Sequence, residues 1–135
     1  DILEAMMKVH QYIIMSAPTP SQYAALEAIR HGEEESQLMI ADFNERRLLT
    51  VQKLAEMALE CPEPRGAFYA FPSIKSTGLD DVEFAQRLLQ EEGVAVIPGS
   101  AFGEYGAGHV RICYASPRPL LEQGLERMAG FVQRL

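Results

Sequence analysis

The chain has 135 residues, 47% hydrophobic and 23% charged, an ordinary composition for a compact body with one sizeable core. Its formal net charge of −7 disfavours non-specific binding to nucleic acid or anionic membranes, both of which need clustered Lys and Arg to neutralise phosphates. Cys61 and Cys113 form no CxxC pair, and no apolar stretch approaches the roughly 20 residues that cross a bilayer, so a reducing, cytoplasmic setting is expected.

Residues 2–13 alternate apolar and polar positions at helical spacing, and the two prolines of Ser16-Ala17-Pro18-Thr19-Pro20 stop that helix. The chain enters this pattern directly, without Met, as a piece of a longer protein would. A second helix is predicted with Thr19 or Ser21 as N-cap and an end at His31-Gly32. From Glu33 to Glu60 there is no Gly or Pro, and Ile40, Phe43, Arg47, Val51, Leu54 and Ala58 recur at steps of three or four. This predicts one long helix whose first-turn acids suit the helix dipole. At about 1.5 Å per residue it would run about 40 Å, enough to bridge two bodies. The acid runs Glu33-Glu34-Glu35 and Glu91-Glu92 read as solvated helix faces.

Cys61-Pro62-Glu63-Pro64-Arg65-Gly66 breaks the long helix. The aromatic run Ala67-Phe68-Tyr69-Ala70-Phe71, bounded by Pro72, predicts a strand with Tyr69 and Phe71 on one face as core or wall residues and not as chemistry. Leu79-Asp80-Asp81 caps a helix whose expected apolar stripe is Val82, Ala85, Leu88 and Leu89, and Gly93 closes it. Val94-Ala95-Val96-Ile97 and His109-Val110-Arg111-Ile112-Cys113-Tyr114-Ala115 predict two more strands, separated by a loop containing Gly99, Gly103, Gly106 and Gly108. A last helix starts between Pro117 and Pro119 and presents Leu121, Leu125, Met128, Val132 and Leu135. This order predicts an α+β fold, a small mixed sheet with packed helices, preceded by the long helix.

Three segments, Gly66-Ala67-Phe68-Tyr69-Ala70-Phe71-Pro72, Gly93-Val94-Ala95-Val96-Ile97-Pro98-Gly99-Ser100-Ala101-Phe102-Gly103 and His109 to Ala115, stand in an order and spacing that resemble the closing motifs of class I and II aminotransferases, relatives of aspartate aminotransferase. The stretch from Lys8-Val9-His10-Gln11-Tyr12 to Ser21-Gln22-Tyr23-Ala24-Ala25 resembles the last part of that family's large domain. The resemblance implies the C-terminal part of a fold-type-I enzyme: residues 1–32 as the end of the large cofactor domain, 33–60 as the interdomain helix, 61–135 as the small domain. It further implies pyridoxal 5′-phosphate as cofactor, a 2-amino acid and a 2-oxo acid as substrates, and a homodimer. Arg111 takes the family's role of gripping the substrate α-carboxylate, and the 93–108 region, with Phe102, that of shaping and closing the site.

The chemistry of Arg111 agrees with that role, because a planar guanidinium meets a carboxylate with two parallel charge-assisted hydrogen bonds. The competing reading is the polar position of a half-exposed strand with its charge in water. Gly99 to Gly103 invites comparison with a phosphate cradle, but it lacks the dinucleotide and P-loop spacings and precedes no helix, so a structural turn near the substrate mouth is expected. His10, His31 and His109 share no metal-ligand spacing, and Asp80-Asp81 reads as a cap. Met15 to Thr19 resembles the family segment that approaches the neighbouring subunit's active site, with no catalytic role assigned to Ser16 or Thr19. Lys8, Lys53 and Lys75 all lack the family's Schiff-base context, so that lysine is expected outside this chain, which alone is expected to be inactive. A lyase, a synthase or an aminotransferase-like regulator would share the fold. A non-enzymatic α+β interaction module is the reading from another class.

Overall fold

The structure, a computed structural model, describes residues 1–13 and 15–135. In chain order it contains α1 (Ile2–Ile13), α2 (Thr19–His31), α3 (Glu33–Glu56), β1 (Tyr69–Ala70), α4 (Asp81–Glu92), β2 (Ile97–Pro98), β3 (Val110–Cys113) and α5 (Arg118–Val132), with 3₁₀ turns at Lys75–Thr77, Gly99–Phe102 and Glu104–Gly106. It divides into two compact units, Asp1–Met39 and Ile40–Leu135. Among the described residues no helix is long and apolar enough to cross a membrane.

In the first unit α1 and α2 bury none of their residues. The N-cap of α2 is Pro18, with no side-chain cap, rather than Thr19 or Ser21. Thr19 and Pro20 open the helix instead, because the fixed φ of proline suits the first helical positions, where an N–H would lack a partner anyway. The Gln22 side chain reaches back to donate to the Ala17 carbonyl at 2.7 Å.

In the second unit α3 stops at Glu56, one turn short of the expected Glu60. Leu59 N–H bonds to the Leu54 carbonyl and Ala58 N–H to that of Ala55, both at 3.0 Å, which is a Schellman stop with Ala58 as the left-handed residue at φ 56°. Leu59 and Leu54 supply its usual apolar contact, both buried in the core. An L-residue with a Cβ is strained in that conformation and glycine is not. Ala58→Gly is therefore expected to raise stability by roughly 0.5–1 kcal/mol, after the added chain entropy of glycine, as a shift in the urea midpoint. A lowered midpoint would mean that Ala58 is not strained there.

The sheet has the order β1-β3-β2, with Tyr69 opposite Cys113, Ala70 opposite Ile112, Ile97 opposite Arg111 and Pro98 opposite Val110. The α+β layout is as expected, but both ladders are antiparallel where a mixed sheet was expected. The helical crossover between β1 and β2 makes them run the same way, and β3 inserts between them, so they never pair directly. The strand expected over Val94–Ile97 pairs only at Ile97 and Pro98. Val94 N–H is taken by the carbonyl of Leu88 in the helix stop at Gly93, while Val94 and Val96 pack against the core.

That core joins Leu54, Ile74, Phe84, Leu88, Val110, Ile112, Tyr114 and the inner face of α5. The buried face of α4 is Asp81, Phe84, Ala85 and Leu88, whereas Val82 and Leu89, expected in the stripe, are 43% and 53% exposed. On α5 the buried set is Leu121, Leu125, Met128 and Phe131, with Val132 half-buried and Leu135 exposed. The Phe84 and Phe131 rings meet edge to face at 5.3 Å and lock α4 to α5. At its other margin the sheet is held to α3 by Arg46, which donates to the carbonyls of Ala115 and Ser116 just beyond β3.

Candidate substrate-carboxylate site

Strand alternation on β3 buries Val110 and Ile112 and turns Arg111 to the opposite face, where it is half-buried. Its guanidinium carbon lies 4.3 Å from the centroid of the Tyr69 ring and 4.7 Å from that of Phe102. Tyr69 comes from the adjacent strand β1, whereas Phe102 comes from the turn after β2. Two aromatic faces therefore hold one cation, a contact worth about 0.5–2 kcal/mol per ring according to how far it is desolvated.

Arg46, Arg47, Arg87, Arg118 and Arg134 each pair with a carboxylate. Among the described residues Arg30, Arg65, Arg111 and Arg127 have no such partner, and of these four Arg111 alone lies over aromatic rings. In a chain of net charge −7, an arginine held by rings and not by an acid keeps its N–H donors free of a protein carboxylate. The ring cluster continues outward: Phe102 meets Phe71 edge-on at 6.1 Å, and Phe71 stacks on His109 at 5.4 Å and 6°. Of the core and wall readings for Tyr69, the wall is the one the contact with Arg111 fits.

The segment from Gly99 to Gly108 folds as two 3₁₀ turns closed on themselves. Gly99 N–H bonds to the His109 carbonyl at 2.8 Å, and His109 N–H to that of Gly106 at 3.1 Å. Gly103 N–H and Gly106 N–H are likewise used inside the turns, on the carbonyls of Ser100 and Gly103. These amides are spent internally, which fits a structural turn and leaves no phosphate cradle of the kind the glycines could suggest.

Sequence reasoning missed Asp81. The cap reading holds for Asp80, whose carboxylate accepts from Glu83 N–H at 2.7 Å. Asp81 is 5% exposed and its carboxylate accepts from Ser100 N–H at 2.8 Å and Gly108 N–H at 3.3 Å, one oxygen for each end of the loop. Burial pushes this carboxyl up, but the Ser100 hydroxyl and amide and the Gly108 amide outweigh burial and hold it below the usual carboxylate range. The available signal was the doublet itself: one Asp suffices for a cap, and the second falls on the face that Phe84, Ala85 and Leu88 bury.

Lys53 donates to Glu56 at 2.8 Å, Lys75 is exposed with its alkyl chain lying across Gly108, and Lys8 is exposed on α1. Among the described residues no group of three His, Cys, Asp or Glu could hold a metal ion.

The family described as aminotransferase class I and II matches residues 1–128. This chain belongs to that family. It is 47% identical over 131 residues to a Bacillus subtilis protein named as aminotransferase YugH, covering 97% of this chain and 34% of the relative. It is 44% identical over 129 residues to an aspartate aminotransferase of Pyrococcus abyssi, covering 94% and 33%. The crystal structure of an aromatic aminotransferase from Pyrococcus horikoshii OT3 superposes with a TM-score of 0.89 at 40% identity, over 98% of this chain and 36% of that one. The chain thus spans about a third of the length of these aminotransferases. The family read from the three ordered motifs is the family found.

Proposed function

We propose that this chain supplies the substrate-carboxylate half of the active site in a pyridoxal-phosphate-dependent aminotransferase that moves an amino group between a 2-amino acid and a 2-oxo acid. The observation that carries the reading is Arg111, clasped by Tyr69 and Phe102 and paired with no acid among the described residues. Arg111 binds the α-carboxylate with two parallel N–H···O bonds, and the two rings hold the plane of the guanidinium in one orientation. Phe102, on the loop closed by Asp81, covers one side of that contact and excludes water, which strengthens the ion pair.

The residues present do not fit the cofactor end. Lys53 is engaged by Glu56, and Lys8 and Lys75 are exposed. Pyridoxal phosphate, which supplies the electron sink for amino-group transfer, is therefore assigned to the remainder of the complete protein. On this reading residues 1–32 close the large domain, 33–60 form the interdomain segment, helical as far as Glu56, and 61–135 the small domain of a cytoplasmic homodimer.

The complete protein, loaded with pyridoxal phosphate and given an L-amino acid and 2-oxoglutarate, is expected to form the matching 2-oxo acid and glutamate in equal amounts. Formation of a 2-oxo acid and ammonia without glutamate would mark a lyase instead. The present chain mixed with pyridoxal phosphate is expected to give only the weak, reversible imine of exposed amines, and a stable one that survives replacement of the surface lysines Lys8 and Lys75 would overturn its assignment as the substrate half alone.

A further inference from the structure

We infer that Asp81 is a positioning residue for substrate binding: by tying both ends of the 100–108 loop to α4, it fixes Phe102 against Arg111 and so sets the affinity for the α-carboxylate. The inference rests on Arg111 being the carboxylate group's partner.

Asp80 already provides the N-cap of α4, so the helix has no need of the second carboxylate at its start. Asp81 points instead into the fold, 5% exposed, and spends one oxygen on Ser100 N–H and the other on Gly108 N–H. These two amides bracket the loop. Between them lies Phe102, whose ring centroid is 4.7 Å from the Arg111 guanidinium carbon and 6.1 Å from that of Phe71. Loop backbone of this kind has little core of its own: Ala101, Phe102, Glu104 and Tyr105 are all exposed. Its position is therefore set by the backbone bonds of Gly99 and Gly106 with His109, by the aromatic contact, and by Asp81, the one side chain that reaches both Ser100 and Gly108.

Asparagine at position 81 has nearly the same shape but only one acceptor oxygen. Its NH₂ would face an amide N–H and release or repel one tether. A loop freed at one end leaves Phe102 to move, and Arg111 then loses one of its two rings without losing its own charge. The effect should fall on ligands that carry an α-carboxylate and not on those that lack it.

L-Glutamate and 4-aminobutyrate, which is glutamate without its α-carboxylate, make that comparison in the complete, cofactor-loaded protein, with binding followed by the change in cofactor absorbance. Asp81→Asn is expected to weaken L-glutamate about tenfold and to leave 4-aminobutyrate within about twofold. If Asp81 acts through Phe102, adding Asp81→Asn to Phe102→Ala should weaken L-glutamate little beyond Phe102→Ala alone. Equal weakening of both ligands, or additive effects of the two substitutions, would overturn the inference. Should Asp81→Asn fail to fold, Asp81→Glu, which keeps both acceptor oxygens but sets them one methylene further from the Ser100 and Gly108 amides, is expected to weaken L-glutamate about threefold and leave 4-aminobutyrate within about twofold, and equal weakening of both would overturn the inference. Arg111→Lys separates the two levels: if it weakens L-glutamate and Asp81→Asn does not, positioning by Asp81 fails alone; if neither does, the role of Arg111 fails with it.

Discussion

Replacing Arg111 by Lys in the complete protein is expected to lower kcat/KM for a 2-amino acid roughly 10- to 100-fold, the 1.5–3 kcal/mol that a charge-assisted hydrogen bond typically contributes. The positive charge survives this substitution, so any loss reports geometry and not net charge. An ammonium is a point donor and cannot meet the two carboxylate oxygens with two parallel bonds, nor does it offer Tyr69 and Phe102 the planar group that a guanidinium does. Binding to the carboxylate persists from the bound substrate to the transition state, so most of the loss should appear in KM, with kcat changed less. Any loss of stability should stay within what the two ring contacts contribute, about 0.5–2 kcal/mol each, because the neighbours Val110 and Ile112 and not Arg111 carry the core on this strand. A folded Arg111→Lys protein with unchanged KM would remove Arg111 from the site and return it to the solvated-strand reading.

What was legible in the sequence is what periodicity and punctuation encode. Pro18 and Pro20, Gly93 and the alternation around Arg111 each act within a few residues, and each marks an element boundary or face that the structure contains. The three ordered motifs carried the family. The stop at Glu56 was illegible because its left-handed position holds Ala58, and the sequence there shows neither Gly nor Pro. The buried face of α4 was misread because Val82 and Leu89 are apolar but exposed, while Asp81 is ionisable yet buried. Burial of that carboxylate becomes favourable only once Ser100 and Gly108, far along the chain, deliver their amides to it. Likewise nothing local in the sequence states that Tyr69 and Phe102 meet on Arg111. Such contacts are made by strand order and loop closure, and single-residue patterns do not carry them.

The second large effect is expected at Gly99, where Gly99→Ala should destabilise the complete protein by about 3 kcal/mol or more and weaken carboxylate binding with it. A Cβ on Gly99 would stand 2.0 Å from the Gly106 carbonyl oxygen and 2.7 Å from that of His109. Both obstacles are backbone, fixed by the bonds Gly99 N–H to His109 and His109 N–H to Gly106, so neither can swing aside as a side chain would. Gly106 meets the same limit from the other side, with its Cβ 2.0 Å from the Gly99 carbonyl oxygen, and Gly106→Ala should cost a comparable amount. Two other glycines calibrate the claim. Gly103 has open space around its Cβ but lies at φ 112°, ψ 173°, a region open almost only to glycine, so Gly103→Ala should cost about 1–3 kcal/mol from the backbone alone. Gly66 has open space and no left-handed φ, and Gly66→Ala should be within about 0.5 kcal/mol of neutral. Urea midpoints of the four variants should therefore fall in the order Gly66→Ala highest, Gly103→Ala next, and Gly99→Ala and Gly106→Ala lowest. The two lowest should also lose L-glutamate affinity, because the clash opens the loop that carries Phe102 to Arg111. A Gly99→Ala protein as stable as Gly66→Ala would show that the two backbones do not approach one another, and the loop would then have no fixed position from which to close the site.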